Sequence, residues 1–393
     1  MAFFPIRGRS IGYWLLLATL TLLIIAGLVA AHYMESEGHR VTGMTNRVVW
    51  GVPHVFAVFL IMAASGALHV ASISSVFGRS EYQPLARLSG LLAITLLLGG
   101  LAVLVLDLGR PDRLIVAMTT FHFRSIFAWN IFLYTGFMVV VIAYLWMMFE
   151  SRMNRYIRGV GIFAFAWRLI LTTGTGSIFG VLVAREAYAV MTMVPLFILH
   201  SLSLGTAIYL LVLVIAFHGT RQEVDMVLVG KLGRLLAWLV LAVLSVVVIC
   251  HLSNIYVARH PGVERFILLD GSVYPLLFWC FQIFLGSLVP VFLLFRNSVK
   301  LPVLVVSASL VVVGGLAQIY VIIIGGQAYP LSIFPGYEVE SGGSVHQVAT
   351  YLPSLPEFGL GFGGVAFSLL LTVFGLRLLP FLPAEKRRAI RVN

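Results

Sequence analysis

Residues Leu85 to Leu106 read LARLSGLLAITLLLGGLAVLVL and lead directly into Asp107-Leu108-Gly109-Arg110-Pro111-Asp112-Arg113. The first part can cross a membrane as one helix, because about 20 largely apolar residues span the roughly 30 Å hydrocarbon core. The second part places two aspartates and two arginines at the end of that helix, in a chain that is only 10% charged. Such a cluster is either a topological anchor or one wall of a polar site.

The same apolar pattern occurs ten times. The chain is 60% hydrophobic with a mean hydropathy of +1.03, which excludes a soluble domain. Continuous apolar runs also exclude a transmembrane β-barrel, whose strands alternate with a period of two. We therefore predict an all-α, polytopic transmembrane helical bundle that forms a single integral membrane domain over residues 1–393. The predicted spans cover residues 11–31, 48–77, 85–106, 125–148, 160–183, 189–217, 235–257, 275–295, 301–324 and 358–382.

The net charge of +11 is explained by membrane topology. With ten spans, both chain ends lie on one side of the membrane, and that side holds sixteen lysines and arginines against eight on the other. Because cytoplasmic loops carry the excess of positive residues, we predict that both termini are cytoplasmic. Nucleic acid is not expected as a partner. The predicted location is the cytoplasmic membrane of a bacterium or archaeon, with membrane lipids around the bundle.

Cys250 and Cys280 are the only cysteines, and each lies within a predicted span. Iron–sulfur clusters usually need four cysteine ligands at short spacing. The sequence therefore predicts that this chain binds no iron–sulfur cluster, and that any iron–sulfur chemistry comes from a partner subunit.

Ionisable residues accumulate at the outer end of the predicted spans. His54 lies near the outer start of the second span, and Asp107 closes the third span on the same side. An ionisable residue at membrane depth is costly, by about 2.5–3.5 kcal/mol on insertion scales, and is therefore a functional candidate. A histidine there can bind a quinone carbonyl and transfer a proton, because it titrates near neutrality. The alternative is that His54, which follows Trp50, Gly51 and Pro53, is an interface residue that stabilises the start of the helix. The same face holds Arg110, Asp112, Arg113, Arg185, Glu186 and His251.

Two ionisable residues lie deeper in the predicted bundle. Arg168 is in the fifth span and His200 is near the middle of the sixth. Together with Glu186 at the outer face, they are candidates for a proton path. The alternative is that each is a buried residue hydrogen-bonded between helices.

The longest predicted loop, Gly325–Glu357, contains no lysine or arginine and carries Glu338, Glu340 and Glu357. Long loops in compact proteins are often functional. This segment is either a solvated connector, a cap over a site, or a docking surface for an extracytoplasmic subunit.

Several short motifs resemble the NrfD/PsrC family, the integral membrane subunits of polysulfide reductase-like complexes. They are Trp50-Gly51, Leu108-Gly109-Arg110-Pro111 and Met193-Val194-Pro195-Leu196-Phe197. The end of the chain resembles the hydrogenase-associated branch of that family, through Tyr351-Leu352-Pro353-Ser354-Leu355-Pro356-Glu357 and Leu378-Leu379-Pro380-Phe381-Leu382-Pro383. Ten spans fit that branch and the DsrP-like branch.

The resemblance implies a membrane subunit with no haem or iron–sulfur cluster of its own, which takes menaquinone or ubiquinone as substrate near the extracytoplasmic face. It implies a ferredoxin-like iron–sulfur subunit docked on that face, together with other subunits of a redox complex in respiration or sulfur metabolism. Family members place polar side chains from early spans around the quinone head group. The matching positions are His54, Asp107 and Arg110, with Arg113 as a neighbour.

Three other functions fit parts of the sequence. A haem-bearing membrane cytochrome is suggested by His54 and His69 on one span and His200 and His218 on another, although the spacings of fifteen and eighteen are unequal. A secondary transporter predicts Gly/Pro-broken spans at corresponding places in two halves, and no convincing pair is found. The third is a structural anchor for redox subunits.

Overall fold

The computed structural model describes residues 3–6, 8–120, 122–182, 185–188, 190–220, 222, 225–257, 261–296, 299–331 and 348–383. Within these ranges the chain is almost entirely helical, and ten helices are long and apolar enough to cross a membrane. The prediction of an all-α polytopic bundle is confirmed. Glu338 and Glu340 of the long loop lie outside the described residues, as do Arg7, Arg221, Arg259 and the basic residues of the segment 384–393 that entered the topology count.

The helices differ from the predicted spans mainly at their ends. Helix α5 begins at Ser151 instead of residue 160, and α7 begins at Met226 instead of residue 235. The first turns of both helices contain charged residues. A hydropathy pattern leaves such residues out of a predicted span, whereas a helix that projects from the membrane can contain them. The ten helices are α1 (Ile11–Glu37), α2 (Val52–Ser75), α3 (Ser80–Leu106), α4 (Ile126–Phe149), α5 (Ser151–Gly180), α6 (Thr192–Thr220), α7 (Met226–Tyr256), α8 (Val273–Leu294), α9 (Leu301–Ala328) and α10 (Leu355–Leu378).

Helix α2 lies at the centre of the bundle, packed against α3, α6 and α10, and nearly all of its residues are buried. Its closest approach is to α6. A Cβ atom built on Gly205 would collide with the carbonyl carbon of Gly66, and one built on Gly66 would collide with the carbonyl oxygen of Ser201. Only glycine allows the two backbones to touch here, as is common where helices pack in membranes.

The outer helices present apolar side chains outward. Leu15 and Val29 of α1 and Phe292 of α8 are exposed, as are large apolar residues on the other peripheral helices. Such a surface suits lipid, because the backbone hydrogen bonds of a helix are satisfied within it.

The helices alternate in direction, so their ends form two faces. We call the face that carries His39, His54, Asp107, Arg185 and Tyr351 the histidine face. The opposite face holds both described chain ends, since Phe3–Phe4 pairs antiparallel with Leu382–Pro383. This arrangement agrees with an even number of spans, whereas the cytoplasmic position of the opposite face remains a prediction.

Two of the spanning helices contain π-helical stretches, Leu277–Leu288 in α8 and Val321–Gly325 in α9. The sequence did not predict them. A π-helix is rare and is found frequently at functional sites.

Candidate functional site

His54 and Asp107 form a pair at the histidine face, in which the Asp107 carboxylate is buried and the His54 ring is partly exposed. His54 lies in the first turn of α2, and Asp107 follows the last residue of α3. Nδ1 of His54 is 2.8 Å from Oδ2 of Asp107, and 23% and 1% of the two side chains are exposed. The distance is that of an ion pair, although the angles are not those of a hydrogen bond. The structure thus brings together the two residues that the sequence places at the core of the site.

The indole of Trp50 forms an aromatic wall beside His54. The two ring centroids are 6.1 Å apart and the planes are 28° from parallel. Trp50 also contacts Phe179 edge-on at 5.7 Å and Phe127 at 6.2 Å. Phe179 is buried, whereas Phe127 is exposed on the outside of α4. The aromatic wall therefore extends from the pair to the outer surface of the bundle.

Gln327, at the end of α9, holds the backbone that precedes α2. Its Oε1 accepts hydrogen bonds from the N–H groups of Val49 and Trp50, both at 3.0 Å, and its Nε2 donates to the Trp50 carbonyl at 3.0 Å. Arg185 donates to the carbonyls of Gln327 at 2.5 Å and Arg47 at 2.6 Å, and burial lowers the pKa of its guanidinium. These bonds fix the position of the Trp50 ring.

The N-terminus of α2 is bound from the side of α10. The Val52 N–H donates to the Tyr351 hydroxyl at 2.8 Å, and that hydroxyl donates to the buried Glu357 carboxylate at 2.5 Å. The carboxylate also accepts hydrogen bonds from the N–H groups of Gly43 at 2.9 Å and Ser354 at 2.7 Å. Burial and the hydrogen bond to Glu357 raise the pKa of Tyr351. The network satisfies a backbone N–H that a helix N-terminus leaves without an intrahelical partner.

His39 rests on the end of α3. Its Nε2 atom is 3.1 Å from the backbone carbonyl oxygen of Asp107. Gly109 lies beside the ring, where an added Cβ atom would come 3.7 Å from it. The connection between α1 and α2 therefore packs directly over the residue that pairs with His54.

Arg110 and Arg113 lie on an exposed edge of the histidine face. Arg110 donates to Asp112 from Nε at 3.1 Å and from Nη2 at 3.2 Å, and the two side chains are 65% and 60% exposed. The hydrogen bond between them raises the pKa of Arg110 and lowers that of Asp112. Arg113 is also exposed. The structure pairs Arg110 with Asp112 in solvent, so that its role at a quinone head group remains a prediction.

The three residues predicted for a proton path have different neighbours. Arg168 on α5 is buried, and its Nη1 donates to the carbonyl of Ser65 on α2 at 3.3 Å. His200 on α6 is buried against α9. Glu186, in the connection after α5, is half-buried near Tyr329, whose pKa is raised by burial and by that carboxylate. The path itself remains a prediction.

The supports of the site were not predicted as site residues. The sequence did contain an indication that Glu357 has a partner, because an acidic residue in the first turn of an apolar span is costly unless it is paired. Its partner Gly43 is 314 residues away in sequence, and Trp50 is 277 residues from Gln327. No local pattern predicts contacts at such separations.

Three relatives are similar over nearly the whole chain. The Hdr-like menaquinol oxidoreductase integral membrane subunit of Archaeoglobus fulgidus is 27% identical over 387 residues, which cover 97% of this chain and 96% of the relative. A selenate reductase subunit of Mesobacillus selenatarsenatis is 23% identical over 406 residues, covering 93% and 94%. The menaquinone reductase integral membrane subunit of Nitratidesulfovibrio vulgaris is 24% identical over 396 residues, covering 91% and 89%.

The family model described as "Polysulphide reductase, NrfD" matches residues 40–330. This range runs from the connection after α1 to the end of α9, and it contains His54, Asp107 and Gln327. The match covers most of the chain and confirms the resemblance seen in the short motifs. The protein is therefore a multi-pass integral membrane protein of the polysulphide reductase NrfD family.

Proposed function

We propose that this chain is the quinone-interacting membrane subunit of a prokaryotic oxidoreductase complex, and that menaquinol or a related quinol binds at His54 and Asp107. The observation that carries the proposal is this pair, with Nδ1 of His54 and Oδ2 of Asp107 2.8 Å apart. The names of two relatives, a menaquinol oxidoreductase subunit and a menaquinone reductase subunit, support the same substrate class.

The atoms around the pair fit a quinone head group. Nδ1 of His54 and both carboxylate oxygens of Asp107 have no hydrogen-bond partner within the described chain, although buried polar groups nearly always have one. The face of Trp50 offers a flat apolar surface for a ring. Phe127 and Trp129 are exposed on the outside of α4, where an apolar tail can remain in lipid.

His54 is the proposed proton acceptor during quinol oxidation, which releases two electrons and two protons. The Asp107 carboxylate lies beside Nδ1, so Nε2 is the ring nitrogen that can face the substrate hydroxyl. His54 takes the proton from one hydroxyl, the proton of the second hydroxyl passes to water at the histidine face, and the two electrons leave for the partner. In quinone reduction the same ring donates the proton.

The electrons are proposed to pass to or from a ferredoxin-like iron–sulfur subunit on the histidine face, within a complex that contains other redox subunits. In this proposal the histidine face is extracytoplasmic. The exposed segment from Leu108 to Arg113 forms part of the docking rim. Arg110 and Arg113 supply positive charge there, which speeds association with an acidic partner.

Arg168, Glu186 and His200 are proposed to carry protons between the histidine face and the interior of the bundle. Arg168 and His200 are buried ionisable residues, which in membranes mark proton and ion pathways. Glu186 stands at the face where protons are exchanged with water.

The test uses the complex purified through this chain. His54→Asn and Asp107→Asn should each lower quinol oxidation by about a hundredfold, which is the contribution typical of a positioned acid or base. The partner subunits should still copurify. His32→Asn, at an exposed histidine near the end of α1, is the matched control and should keep full activity. Full activity in both site variants would refute the proposal, and a Soret band in the isolated subunit would favour the haem alternative.

A further inference from the structure

A second histidine–carboxylate pair lies at the histidine face, beside α7. Glu264, in the short helix Pro261–Leu268, is only 4% exposed. Its Oε2 is 2.6 Å from Nδ1 of His251, and its Oε1 accepts a hydrogen bond from Asn254 at 2.7 Å. A buried carboxylate is costly unless it is paired in this way. The arrangement repeats the chemistry of the His54–Asp107 pair in another part of the bundle.

The pair lines a cavity of about 50 Å³ between α6, α7, α8 and α9. A buried water needs roughly 10–15 Å³ of such volume and two to four polar partners, so the cavity has room for a few water molecules. It is too small for a quinone head group. Its polar lining consists of His251, Asn254, Glu264, Gln282 and Gln318.

Both π-helical stretches border this cavity. Phe278 and Gln282 belong to the stretch Leu277–Leu288, and Val321 and Ile322 belong to the stretch Val321–Gly325. Because π-helical turns occur frequently at functional sites, their meeting at one cavity is independent support for a function there.

Gln318 connects the cavity to His200. Its side chain lines the cavity and also lies beside the His200 ring. Leu196, one turn before His200 on α6, is part of the same lining. Neither ring nitrogen of His200 has a hydrogen-bond partner of good geometry among the described residues, and the ring is buried. The His200 ring is not itself part of the described lining, so Gln318 stands between the ring and the cavity.

We propose that this cavity is a water-filled proton-exchange chamber, in which Glu264 and His251 exchange a proton with water at the histidine face and transfer it through the chamber to His200. Each step breaks one O–H or N–H bond and forms another, and no electrons move. The titratable residues of the described lining are Cys250, His251 and Glu264.

The chamber rests on the proposed function, because quinol oxidation is the reaction that would drive proton transfer through it. It is nevertheless a separate site from the His54–Asp107 pair. Gly326 lines the chamber, and the next residue, Gln327, binds the backbone of Trp50. One segment of α9 thus forms a wall shared by the chamber and the quinone site.

The first test needs no turnover. Infrared difference spectra of the purified complex in lipid, between acid and alkaline pH, should contain a carboxyl band that Glu264→Gln removes. His251→Asn should move the titration of this band to a different pH. Asp270→Asn, which changes a more exposed carboxylate nearby, should leave it unchanged. If Glu264→Gln removes no band, the proposal is overturned, because this carboxylate then exchanges no proton.

The second test uses the complex in liposomes with a trapped pH indicator. Glu264→Gln should lower the number of protons moved per quinol by about twofold or more, since it removes the titratable group. Quinol oxidation in the presence of an uncoupler should remain at the wild-type rate. An unchanged proton ratio overturns the chamber. By contrast, full oxidation activity in His54→Asn overturns the quinone site, and the infrared test of the chamber is independent of that result.

Discussion

The Tyr351 hydroxyl lies between the N-terminus of the helix that carries His54 and the buried carboxylate of Glu357. It accepts a hydrogen bond from the Val52 N–H at 2.8 Å and donates one to Glu357 at 2.5 Å. In addition to the packing of α10 against α2, a single oxygen atom thus links Glu357 of α10 to the N-terminus of α2. Tyr351 and Glu357 lie beyond residues 40–330, which the family model matches, so the geometry of the site depends on a part of the chain outside that range.

Tyr351→Phe removes this hydroxyl and leaves the Val52 N–H and one Glu357 oxygen without a partner. Each buried unsatisfied group costs about 1–3 kcal/mol, so we expect a lower free energy of unfolding. Quinol oxidation should also fall, because the first turn of α2 positions His54. Thermal unfolding in detergent and turnover measure the two effects. Tyr256→Phe, at a highly exposed ring, is the control, and equal behaviour of both variants would contradict the supporting role.

The same tyrosine predicts a dependence of stability on alkaline pH. Burial and the hydrogen bond to Glu357 raise its pKa in the folded state above the ordinary value of about 10. The contribution of the neutral Tyr351 hydroxyl to the free energy of unfolding is therefore complete below about pH 10. It is lost as the pH rises above that value, because this tyrosine ionises first in the unfolded chain. The free energy of unfolding should fall more steeply above about pH 10 in the wild type than in Tyr351→Phe. Parallel curves would contradict this.

Gln327→Leu should misplace the aromatic wall while preserving the bundle. The change keeps an apolar stem but removes the hydrogen bonds to the backbone of Val49 and Trp50. We expect weaker quinol binding, observed as a higher KM, with little change in helical content by circular dichroism. Gln83→Leu, at an exposed glutamine on the opposite face, should leave KM unchanged. A normal KM in Gln327→Leu would show that Trp50 is held by other contacts.

Gly205→Ala should destabilise the centre of the bundle. The added Cβ would collide with the backbone of Gly66, so α2 and α6 must separate. Overpacking of this kind costs about 1–3 kcal/mol. Thermal unfolding measures the loss. Gly219→Ala, on the same helix but with no atom within 4 Å of the new Cβ, should be neutral, and equal melting temperatures for the two variants would contradict the close approach.

Arg110→Glu should weaken docking of the iron–sulfur partner. The guanidinium is 65% exposed and pairs with Asp112, so reversing its charge changes the docking rim without disturbing a buried contact. Mutation of a rim charge mainly changes the association rate and its salt dependence. Surface plasmon resonance should show that Arg110→Glu associates with the partner more slowly than the wild type at low salt. At high salt the difference between the two association rates should become smaller. Arg40→Glu, at an exposed arginine on the same face, is the control.

The fold could be predicted because hydropathy is a local property of the sequence. The juxtaposition of His54 and Asp107 followed from the same information, since alternating helices place the start of α2 and the end of α3 on one face. The contacts that hold them in place could not be predicted. Gln327 and Tyr351 reach their partners across most of the chain, and neither the sequence around Gln327 nor the short motif that contains Tyr351 indicates which distant atoms they bind.

The exposure of Arg110 and the π-helical turns were also beyond a sequence pattern. An arginine two residues before an aspartate is compatible with a solvent pair or with a buried site, and only the path of the chain after α3 decides between them. The π-helical turns of α8 and α9 have the same apolar composition as the α-helical turns around them.

The antiparallel pairing of Phe3–Phe4 with Leu382–Pro383 brings the first and last described segments of the chain together. Joining residue 3 to residue 383 through a short linker and opening the chain between α4 and α5 therefore gives a circular permutant that keeps the contacts of the described residues. In that permutant α5 leaves the ribosome first, and the helix carrying His54 enters the membrane late. Comparing the assembly of the permutant with that of the unpermuted chain shows whether assembly depends on the order in which the helices enter the membrane or only on the stability of the folded bundle.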